Sequence, residues 1–521
     1  MKIFFALCVT TLFLCTVKSH HSWWQSMSLY QIYPRSFMDS DGDGNGDLRG
    51  IINKLDYLAD LKVDALWLTP IYKSSMVDNG YDASNFTGIN YMFGTMQDFE
   101  SLVKRTHDYS MKVLMDCIPT YSSDQHEWFQ KSVAGDEPYT DYYVWKEGKK
   151  DDGTMQPPNN WRSVFNGSAW TWNDKRQAFY LHQFTPSQPD LNYRNKDLVE
   201  EMKDILRFWM KKGVDGFRID ATPYLVENQN LNYEMMQQWR DVVDEYAKKV
   251  DQVSRVLMVE DYANISTIMK YYSSGINFPF NFGLMDINNL STATDVKNIL
   301  DSCILKMPNG ATANWVVGNH DNPRLVSRIG IHRATAVTAL ALLLPAVAVT
   351  YYGDEIGMPD APIFSKAPSK FTDPERSPMQ WNNSTSAGFS TNIKTWRPVN
   401  PNYKTLNLAF AKVSDDSYYN YYKALASLRN MHAVRSGNLQ VKVLENDVLA
   451  FSRNKKKKNS VYVLINFSEQ NKTVNLMEFE NTDPELAFYR ASPGLGLTSG
   501  SLMNANEINI PPTATMVFVD S

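Results

Sequence analysis

The sequence predicts an α/β protein: a (β/α)8 TIM barrel with an inserted subdomain after the third strand and a C-terminal antiparallel β domain. Short apolar, β-branched runs alternate with helical segments from about residue 28 to residue 428. Eight such runs are present, which is the number that a closed barrel of parallel strands requires. Three of the later runs lead into acidic residues, and a barrel gathers its functional groups at its strand ends.

The candidate strands are short and are separated by helical segments. They are Ser28–Tyr33, Ala65–Leu68, Lys112–Asp116, Gly216–Ile219, Val256–Val259, Asn277–Phe282, Asn314–Gly318 and Val347–Tyr351. Before the fourth strand, apolar residues recur on one helical face from Leu198 to Trp209. The pattern Asp197-x-x-Glu200 predicts a capping box at the start of this helix, and Gly213 predicts its end.

Two segments interrupt the alternation. Residues Thr120 to Pro189 are rich in Trp, Tyr, Asn and Pro, which predicts an inserted subdomain that overhangs the strand ends. After Arg429, strand-like runs replace the helical units. The predicted organisation is a signal peptide (1–20), a barrel in two parts (21–119 and 191–435), the inserted subdomain (120–190) and a C-terminal β-sandwich domain (436–521).

Composition excludes some classes of function. The chain has 521 residues, of which 43% are hydrophobic, and its formal net charge of −5 gives no electrostatic footprint for nucleic acid. The basic run from Lys455 to Lys458 lies between two strand-like runs, which predicts a solvated hairpin tip rather than a binding patch. The sequence leaves the oligomeric state open.

The N-terminal residues predict secretion. Met1-Lys2 precede an apolar stretch from Ile3 to Val17, which is short for a membrane span and typical of a cleaved secretory signal. An uncleaved anchor is the alternative, and no membrane span is predicted in the mature chain. Cys117 and Cys303 remain after cleavage and are expected to be buried thiols. Sequons for N-glycosylation occur at Asn85, Asn166, Asn264, Asn289, Asn382, Asn383, Asn466 and Asn471.

Three strand-end blocks carry the predicted chemistry. They are Gly216-Phe217-Arg218-Ile219-Asp220, Val259-Glu260-Asp261-Tyr262 and Gly318-Asn319-His320-Asp321. Three carboxylates that converge at one end of a barrel supply a nucleophile, a proton donor and a stabiliser for a sugar-like cation. A single strand-end acidic residue is more often a cap or an ion-pair partner, but three in order favour catalysis. Arg218 shares a strand face with Asp220 and would keep that carboxylate ionised.

With their neighbours, these blocks resemble the α-amylase family of retaining glycoside hydrolases, and within it the secreted insect maltase/sucrase (α-glucosidase) branch. The similarity covers nearly the whole mature chain. Four further motifs carry it: Tyr30-Gln31-Ile32-Tyr33-Pro34-Arg35-Ser36-Phe37, Gly80-Tyr81-Asp82, Gln188-Pro189-Asp190-Leu191-Asn192 and Pro378-Met379-Gln380-Trp381. The resemblance implies an exo-acting α-glucosidase that acts on small α-glucoside sugars and uses no catalytic cofactor.

The resemblance also implies a role for each residue of the site. Asp220 would be the nucleophile, Glu260 the general acid/base and Asp321 the transition-state stabiliser. Ala221 follows the nucleophile where 1,6-preferring relatives often carry Val, so the α-1,4 linkage is favoured. The residues implied to hold the glucose unit are Tyr81, Asp82, Tyr121, Arg218, His320, Arg324 and Arg376.

An acidic, Gly-rich loop follows the first strand. Its oxygen-bearing residues alternate, which is the spacing that a hard cation such as Ca²⁺ uses, and the family resemblance implies a calcium site there. Gly50 stands where an EF-hand would place its bidentate Glu, so the full EF-hand pattern fails. A structural Ca²⁺ is therefore expected, with a solvated acidic turn as the alternative. The candidate ligands are Asp39, Asp41, Asp43, Asn45 and Asp47.

One block departs from the family pattern. After the third strand, the family has Asn-His where this chain has Thr120-Tyr121. The resemblance implies that the missing His binds the glucose 6-hydroxyl, so a sugar contact is changed while the three carboxylates remain. The alternative function is therefore a catalytically impaired homologue that binds carbohydrate or a protein partner. A third hypothesis, the glycosidase-like subunit of an amino-acid transporter, requires a membrane helix that the sequence does not contain.

Overall fold

The computed structural model describes residues 22–151, 154–226, 228–362, 373–455 and 458–521, so the predicted signal peptide lies outside the described residues. The predicted barrel is confirmed. Its strands are β1 (Ser28–Ile32), β2 (Ala65–Leu68), β3 (Lys112–Cys117), β4 (Gly216–Ile219), β5 (Val256–Val259), β6 (Phe278–Pro279), β7 (Asn314–Val316) and β8 (Val347–Tyr351).

All neighbouring barrel strands are parallel, in the order β6-β5-β4-β3-β2-β1-β8-β7. The barrel closes between β6 and β7 mainly through one side chain. Asn314 Oδ1 accepts from the Asn281 amide at 2.8 Å, and Asn314 Nδ2 donates to the Pro279 carbonyl at 2.6 Å. Strand β6 is shorter than predicted because Pro279 has no N–H for a sheet ladder, and the Asn314 amide replaces that pairing.

Helices cover the outside of the barrel. They are Pro34–Phe37, Leu48–Ile52, Leu55–Asp60, Met96–Asp108, Lys196–Lys211, Gln229–Val250, Ile265–Ile268, Ala293–Lys306, Leu325–Leu343, Leu408–Val413, Tyr418–Leu428 and His432–Ser436. The helix predicted before β4 is present, and its apolar face is buried. Its N-cap is Asn195 rather than Asp197, because the Asn195 side chain accepts from the Asp197 and Leu198 amides.

The inserted segment forms a small subdomain of its own. It contains the helix Glu127–Ala134 and an antiparallel sheet in the order Trp145–Lys146, Ala178–Leu181, Trp170–Asn173. Trp170, Phe179 and Leu181 pack into a separate hydrophobic cluster. Two hairpins complete this side of the molecule. They are Lys149–Asp151 with Thr154–Gln156, and Tyr72–Ser74 with Ala83–Ile89.

The C-terminal region is antiparallel. A six-stranded sheet runs in the order Asn438–Leu444, Val448–Lys455, Lys458–Asn466, Thr515–Asp520, Glu485–Ala491, Leu502–Asn504, and a two-stranded sheet pairs Lys472–Val474 with Ile508–Ile510. Lys455 pairs with Lys458 across two adjacent strands, and residues 456 and 457 of the predicted hairpin tip lie outside the described residues. Buried Arg453 donates to the Leu343 carbonyl at 3.1 Å, which ties this region to the barrel.

Two further predictions concern the chain as a whole. Cys117 and Cys303 are free and buried, as expected. Within the described residues, no helix combines the length and apolar character needed to cross a membrane.

Candidate active site

The carboxyl ends of the barrel strands open into a cavity of about 730 Å³. Asp220 follows β4 directly, Glu260 follows β5 directly, and Asp321 lies in the loop after β7. All three line the cavity. Asp220 and Glu260 are buried, whereas the Asp321 side chain is 39% exposed. The structure therefore brings the three predicted carboxylates to one end of the barrel.

A single buried guanidinium joins the carboxylates. Arg218 is 1% exposed and points from β4 into the barrel, where β4 pairs with β3 at Asp116. Its Nη1 contacts Asp220 Oδ1 and lies 3.3 Å from Asp116 Oδ2, while its Nη2 lies 2.6 Å from Glu260 Oε2. One cation thus faces three acidic side chains, so all three cannot be ionised without excess negative charge.

Burial decides where protons remain in this group. It raises the pKa of both Asp220 and Glu260 to about 7, against the opposing attraction of Arg218. It raises the pKa of Asp116 to about 6. Because Arg218 donates a hydrogen bond to Asp220, which favours the ionised form of that carboxylate, a proton shared by the pair belongs on Glu260.

Asp321 has the opposite electrostatic environment. Burial alone would raise its pKa, but the positive charges of Arg376 and Arg218 hold that pKa below its usual value, and the uncharged His320 lies beside it with Nε2 3.4 Å from Asp321 Oδ2. Arg376 Nη2 donates to Asp321 Oδ1 at 2.8 Å, and Arg376 Nε donates to the His320 carbonyl at 2.7 Å. Asp321 is therefore the carboxylate that stays ionised beside its protonated neighbour.

His320 is part of a buried hydrogen-bonded chain behind Tyr81, which lines the cavity. Burial lowers its pKa to about 3, so the imidazole is neutral. Gln31 Nε2 lies 2.9 Å from His320 Nδ1, and Tyr81 Oη lies 2.5 Å from His320 Nε2. Tyr81 in turn donates to Asp116 Oδ2 at 2.8 Å, and its ring stacks on the imidazole. Because Gln31 Nε2 donates to Nδ1, the ring proton is on Nε2 and points to the Tyr81 hydroxyl.

Two of the predicted sugar-binding residues do not face the cavity. The Asp82 carboxylate accepts four hydrogen bonds within its own loop, from Ser74, Ser75 and the backbone amides of Val77 and Asp78. Arg324 is fully buried, donates to the Tyr352 carbonyl at 2.6 Å and stacks over two tyrosine rings. Both predictions are corrected, because these side chains are held by their own surroundings.

Asp78 is a cavity residue that the sequence reasoning missed. It lines the cavity, accepts from Gln188 Nε2 at 2.8 Å, and burial raises its pKa to about 6. The available signal was the Asp78-Asn79-Gly80 turn directly before Tyr81. The turn and the two residues after it contain two acidic side chains, Asp78 and Asp82. Which of them faces the cavity depends on the direction of the loop.

Tyr121 lies against the nucleophile position. It is 2% exposed, its ring centroid is 5.0 Å from that of Phe184, and its hydroxyl is 3.4 Å from Asp220 Oδ2. Thr120 is fully buried, with its hydroxyl 3.3 Å from the Ala221 carbonyl. The altered block therefore reaches the cavity through Tyr121 alone.

The acidic loop brings together three of the five predicted cation ligands. Carboxylate oxygens of Asp39, Asp41 and Asp43 lie within 4.8 Å of one another. Asn45 Oδ1 instead accepts from Arg35 Nε at 2.8 Å. Asp47 caps the helix Leu48–Ile52 and also accepts from Ser40, and Asp39 likewise accepts from three amides of its own loop and from Ser390.

Comparison with known proteins agrees with this geometry. The family model for the catalytic domain of α-amylase matches residues 31–437. An α-glucosidase of Apis mellifera is 42% identical over 508 residues, which cover 89% of each chain. A salivary α-glucosidase of Anopheles gambiae is 42% identical over 511 residues, covering 88% of this chain and 86% of the relative. The chain belongs to the α-amylase family.

Two further matches define the range of the family. The solved structure of XgtA, an α-glucosyl transfer enzyme, superposes with a TM-score of 0.83 at 29% identity, covering 96% of this chain and 100% of that chain. The mouse amino acid transporter heavy chain SLC3A1 is 36% identical over 538 residues, covering 96% of this chain and 78% of the relative. Relatives of this chain carry names that imply different functions. The residues of the site, rather than family membership alone, therefore indicate the function.

Proposed function

We propose that the protein is a secreted, exo-acting α-glucosidase that hydrolyses terminal α-1,4-linked glucose of maltose-like sugars, sucrose or both. The contact of Arg218 with both Asp220 and Glu260 is the observation that carries this proposal. It keeps one carboxylate ionised and allows its neighbour to hold a proton, as a retaining glycosidase requires. The cavity of about 730 Å³ is of the size that small ligands use.

The proposed reaction has two displacements. Asp220 Oδ2, the oxygen that Arg218 Nη1 does not contact, attacks the anomeric carbon while Glu260 gives its proton to the departing glycosidic oxygen. A covalent glucosyl–enzyme forms. Glu260 then takes a proton from water, which attacks the same carbon and releases glucose with retained α configuration. The ionised Asp321 stabilises the positive charge that develops on the sugar ring in both steps.

The product stereochemistry tests this proposal directly. Proton NMR of the glucose first released from sucrose, whose departing group is fructose, should show the α-anomer, and Asp220→Asn should remove nearly all turnover while the protein stays folded. First-formed β-glucose would refute the double displacement. Release of glucose by the folded Asp220→Asn variant at the wild-type rate would refute the role of Asp220.

Secretion is supported by the charged and apolar N-terminal residues and by the name of the salivary relative. Detection of a mature chain that begins near residue 20, in the medium of expressing insect cells, tests it.

A structural Ca²⁺ in the acidic loop is a further part of the proposal. The carboxylates of Asp39, Asp41 and Asp43 offer the hard oxygen donors that Ca²⁺ prefers, and their mutual distances allow one ion to contact all three. The ion would fix the loop between β1 and the helix Leu48–Ile52, away from the reacting carboxylates.

The second candidate function is a carbohydrate-binding protein with impaired catalysis. The Tyr121 hydroxyl beside Asp220 Oδ2 is the observation that favours it, because a donor at this oxygen opposes nucleophilic attack. Assay of glucose release by the purified wild-type protein separates the two functions.

A further inference from the structure

The inserted subdomain carries two smaller cavities beside the catalytic one. The catalytic cavity and a second cavity of about 400 Å³ share Phe165 and Phe184 in their walls. The second cavity shares Gly167 and Ser168 with a third, of about 290 Å³. Because each cavity shares lining residues with the next, the three lie side by side, with Phe165 and Phe184 between the catalytic cavity and the second one.

The second cavity suits a ligand with many hydroxyl groups. Trp170 and Phe184 supply aromatic faces, while Thr171, His182 and Thr185 supply polar atoms. His182 Nε2 lies 2.9 Å from Thr171 Oγ1 and its Nδ1 lies 3.2 Å from the Phe184 carbonyl, so the imidazole is fixed in one orientation and the hydroxyl oxygens of Thr171 and Thr185 are the atoms left to accept from a ligand. Aromatic faces next to fixed polar groups match the apolar faces and the hydroxyl edges of a pyranose ring.

Trp161 ends the series at the surface. Its side chain lines the third cavity with Asn160 and Arg162, and the residue is 43% exposed. Its ring stacks on buried Trp170, with centroids 6.1 Å apart and an interplanar angle of 28°. Trp170 is itself held by a hydrogen bond from its Nε1 to Asn159 Oδ1 at 2.8 Å. Trp161 therefore presents a supported aromatic face rather than a freely rotating side chain.

We propose that these cavities bind the glucose units beyond the scissile bond of longer α-glucans, with Trp161 as the outermost contact. The protein would then prefer maltooligosaccharides of several units to maltose, an inference that rests on the proposed α-glucosidase function. The position of the second cavity directly beside the catalytic one selects this occupant. A glucan whose terminal unit lies at Asp220 must extend away from the carboxylates, and passage over Phe165 and Phe184, which both cavities share, would bring it to the second cavity.

A glycan attached to the chain itself would offer the same carbohydrate chemistry as the substrate. Asn166 is a predicted glycosylation site, is exposed and lies in the wall of the second cavity. An N-glycan at Asn166 could enter the same cavities. The experiment must therefore separate substrate from glycan.

The test compares kcat/KM for maltose and for maltopentaose. In the wild type, the ratio of maltopentaose to maltose should exceed one, and Trp161→Ala should lower that ratio by about two- to ten-fold, as expected for the loss of one aromatic contact. Tyr91→Ala is the matched control, because Tyr91 is 90% exposed and lies in none of the three cavities. Both variants are also made in an Asn166→Gln background.

The outcomes are distinct. A lower ratio in Trp161→Ala but not in Tyr91→Ala, in both the Asn166 and the Asn166→Gln background, supports the proposed glucan-binding cavities. An unchanged ratio in both backgrounds overturns the proposal, and an effect confined to one background assigns the cavities to the glycan and also overturns it. If the wild type cleaves neither sugar, the proposed function fails instead. The affinity of the Asp220→Asn protein for maltopentaose, measured by calorimetry with and without Trp161→Ala, then tests glucan binding in these cavities independently of catalysis.

Discussion

Replacement of Tyr121 by His should make the protein a faster α-glucosidase. The Tyr121 hydroxyl is 3.4 Å from Asp220 Oδ2, which is longer than the 2.5–3.0 Å of a normal O–H···O bond. The hydrogen bond from Tyr121 to the nucleophile Asp220 is therefore weak. An imidazole at this position should instead donate to the bound sugar, as the family resemblance implies. A hydrogen bond made in the transition state is worth roughly 1–3 kcal/mol, so kcat/KM on maltose should rise by about five- to 150-fold.

The gain in activity should come with a loss of stability. Tyr121 is 2% exposed and packs against Phe184, so a smaller ring leaves unfilled space beside it. Such a change costs on the order of 1–2 kcal/mol in the free energy of unfolding, which lowers the melting temperature by a few degrees. Thr120 is left unchanged in this experiment, because it is fully buried and a larger side chain would overpack its site.

Tyr121→Phe is the control for the hydroxyl. It keeps the ring and removes the contact with Asp220 Oδ2, so kcat/KM should change by less than about five-fold, in line with a bond outside the normal range. Initial rates of glucose release from maltose, together with thermal unfolding, measure both effects. A folded Tyr121→His protein that is no faster than an active wild type would refute this reasoning, because other residues would then already supply the sugar contact.

Three further predictions follow from the carboxylates and the acidic loop. The kcat/KM for maltose should be highest below pH 7 and fall as pH rises through about 7, because Glu260 then loses the proton that it must donate, and an optimum above pH 8 would contradict this. Burial raises the pKa of Glu260 from 4.5 to about 7, so the folded state binds an extra proton between these values and loses stability as pH rises across them. Glu260→Gln should therefore be inactive, yet its melting temperature should exceed that of the wild type at pH 8 and do so by less at pH 5. Equal melting temperatures at pH 8 would show that Arg218 fully compensates the negative charge of Glu260. Removal of Ca²⁺ with excess chelator should lower the melting temperature more than it lowers activity per folded molecule. The reason is that an ion bound only to the native loop Asp39 to Asp47 stabilises the folded state by mass action. An unchanged melting curve would speak against an exchangeable ion.

The sequence by itself determined the barrel and the position of the carboxylates. Strand and helix periodicity are local properties, so eight apolar runs were sufficient to place eight strands. The ends of parallel strands meet at one face, so residues such as Asp220 and Glu260 were bound to converge once their strands were assigned. Even the contact of Arg218 with Asp220 follows from alternation along one strand.

The tertiary structure decided which loop side chains face the cavity. Asp78 and Asp82 lie in one turn, and four donors within the loop hold Asp82 while Asp78 is left at the cavity wall. Arg324 and Arg376 were equally plausible from the sequence, but only Arg376 reaches Asp321. A loop has no fixed periodicity, so the direction of its side chains depends on donors and acceptors distant in sequence.

Long-range contacts also decided the closure of the barrel and the composition of the cation cluster. Asn314 takes over the pairing that Pro279 prevents, and Arg35 draws Asn45 away from Asp39, Asp41 and Asp43. In each case a polar side chain takes the nearest strong partner that the fold offers, because an unpaired buried polar group is costly. The sequence contains those side chains, but only the folded chain brings their partners within reach.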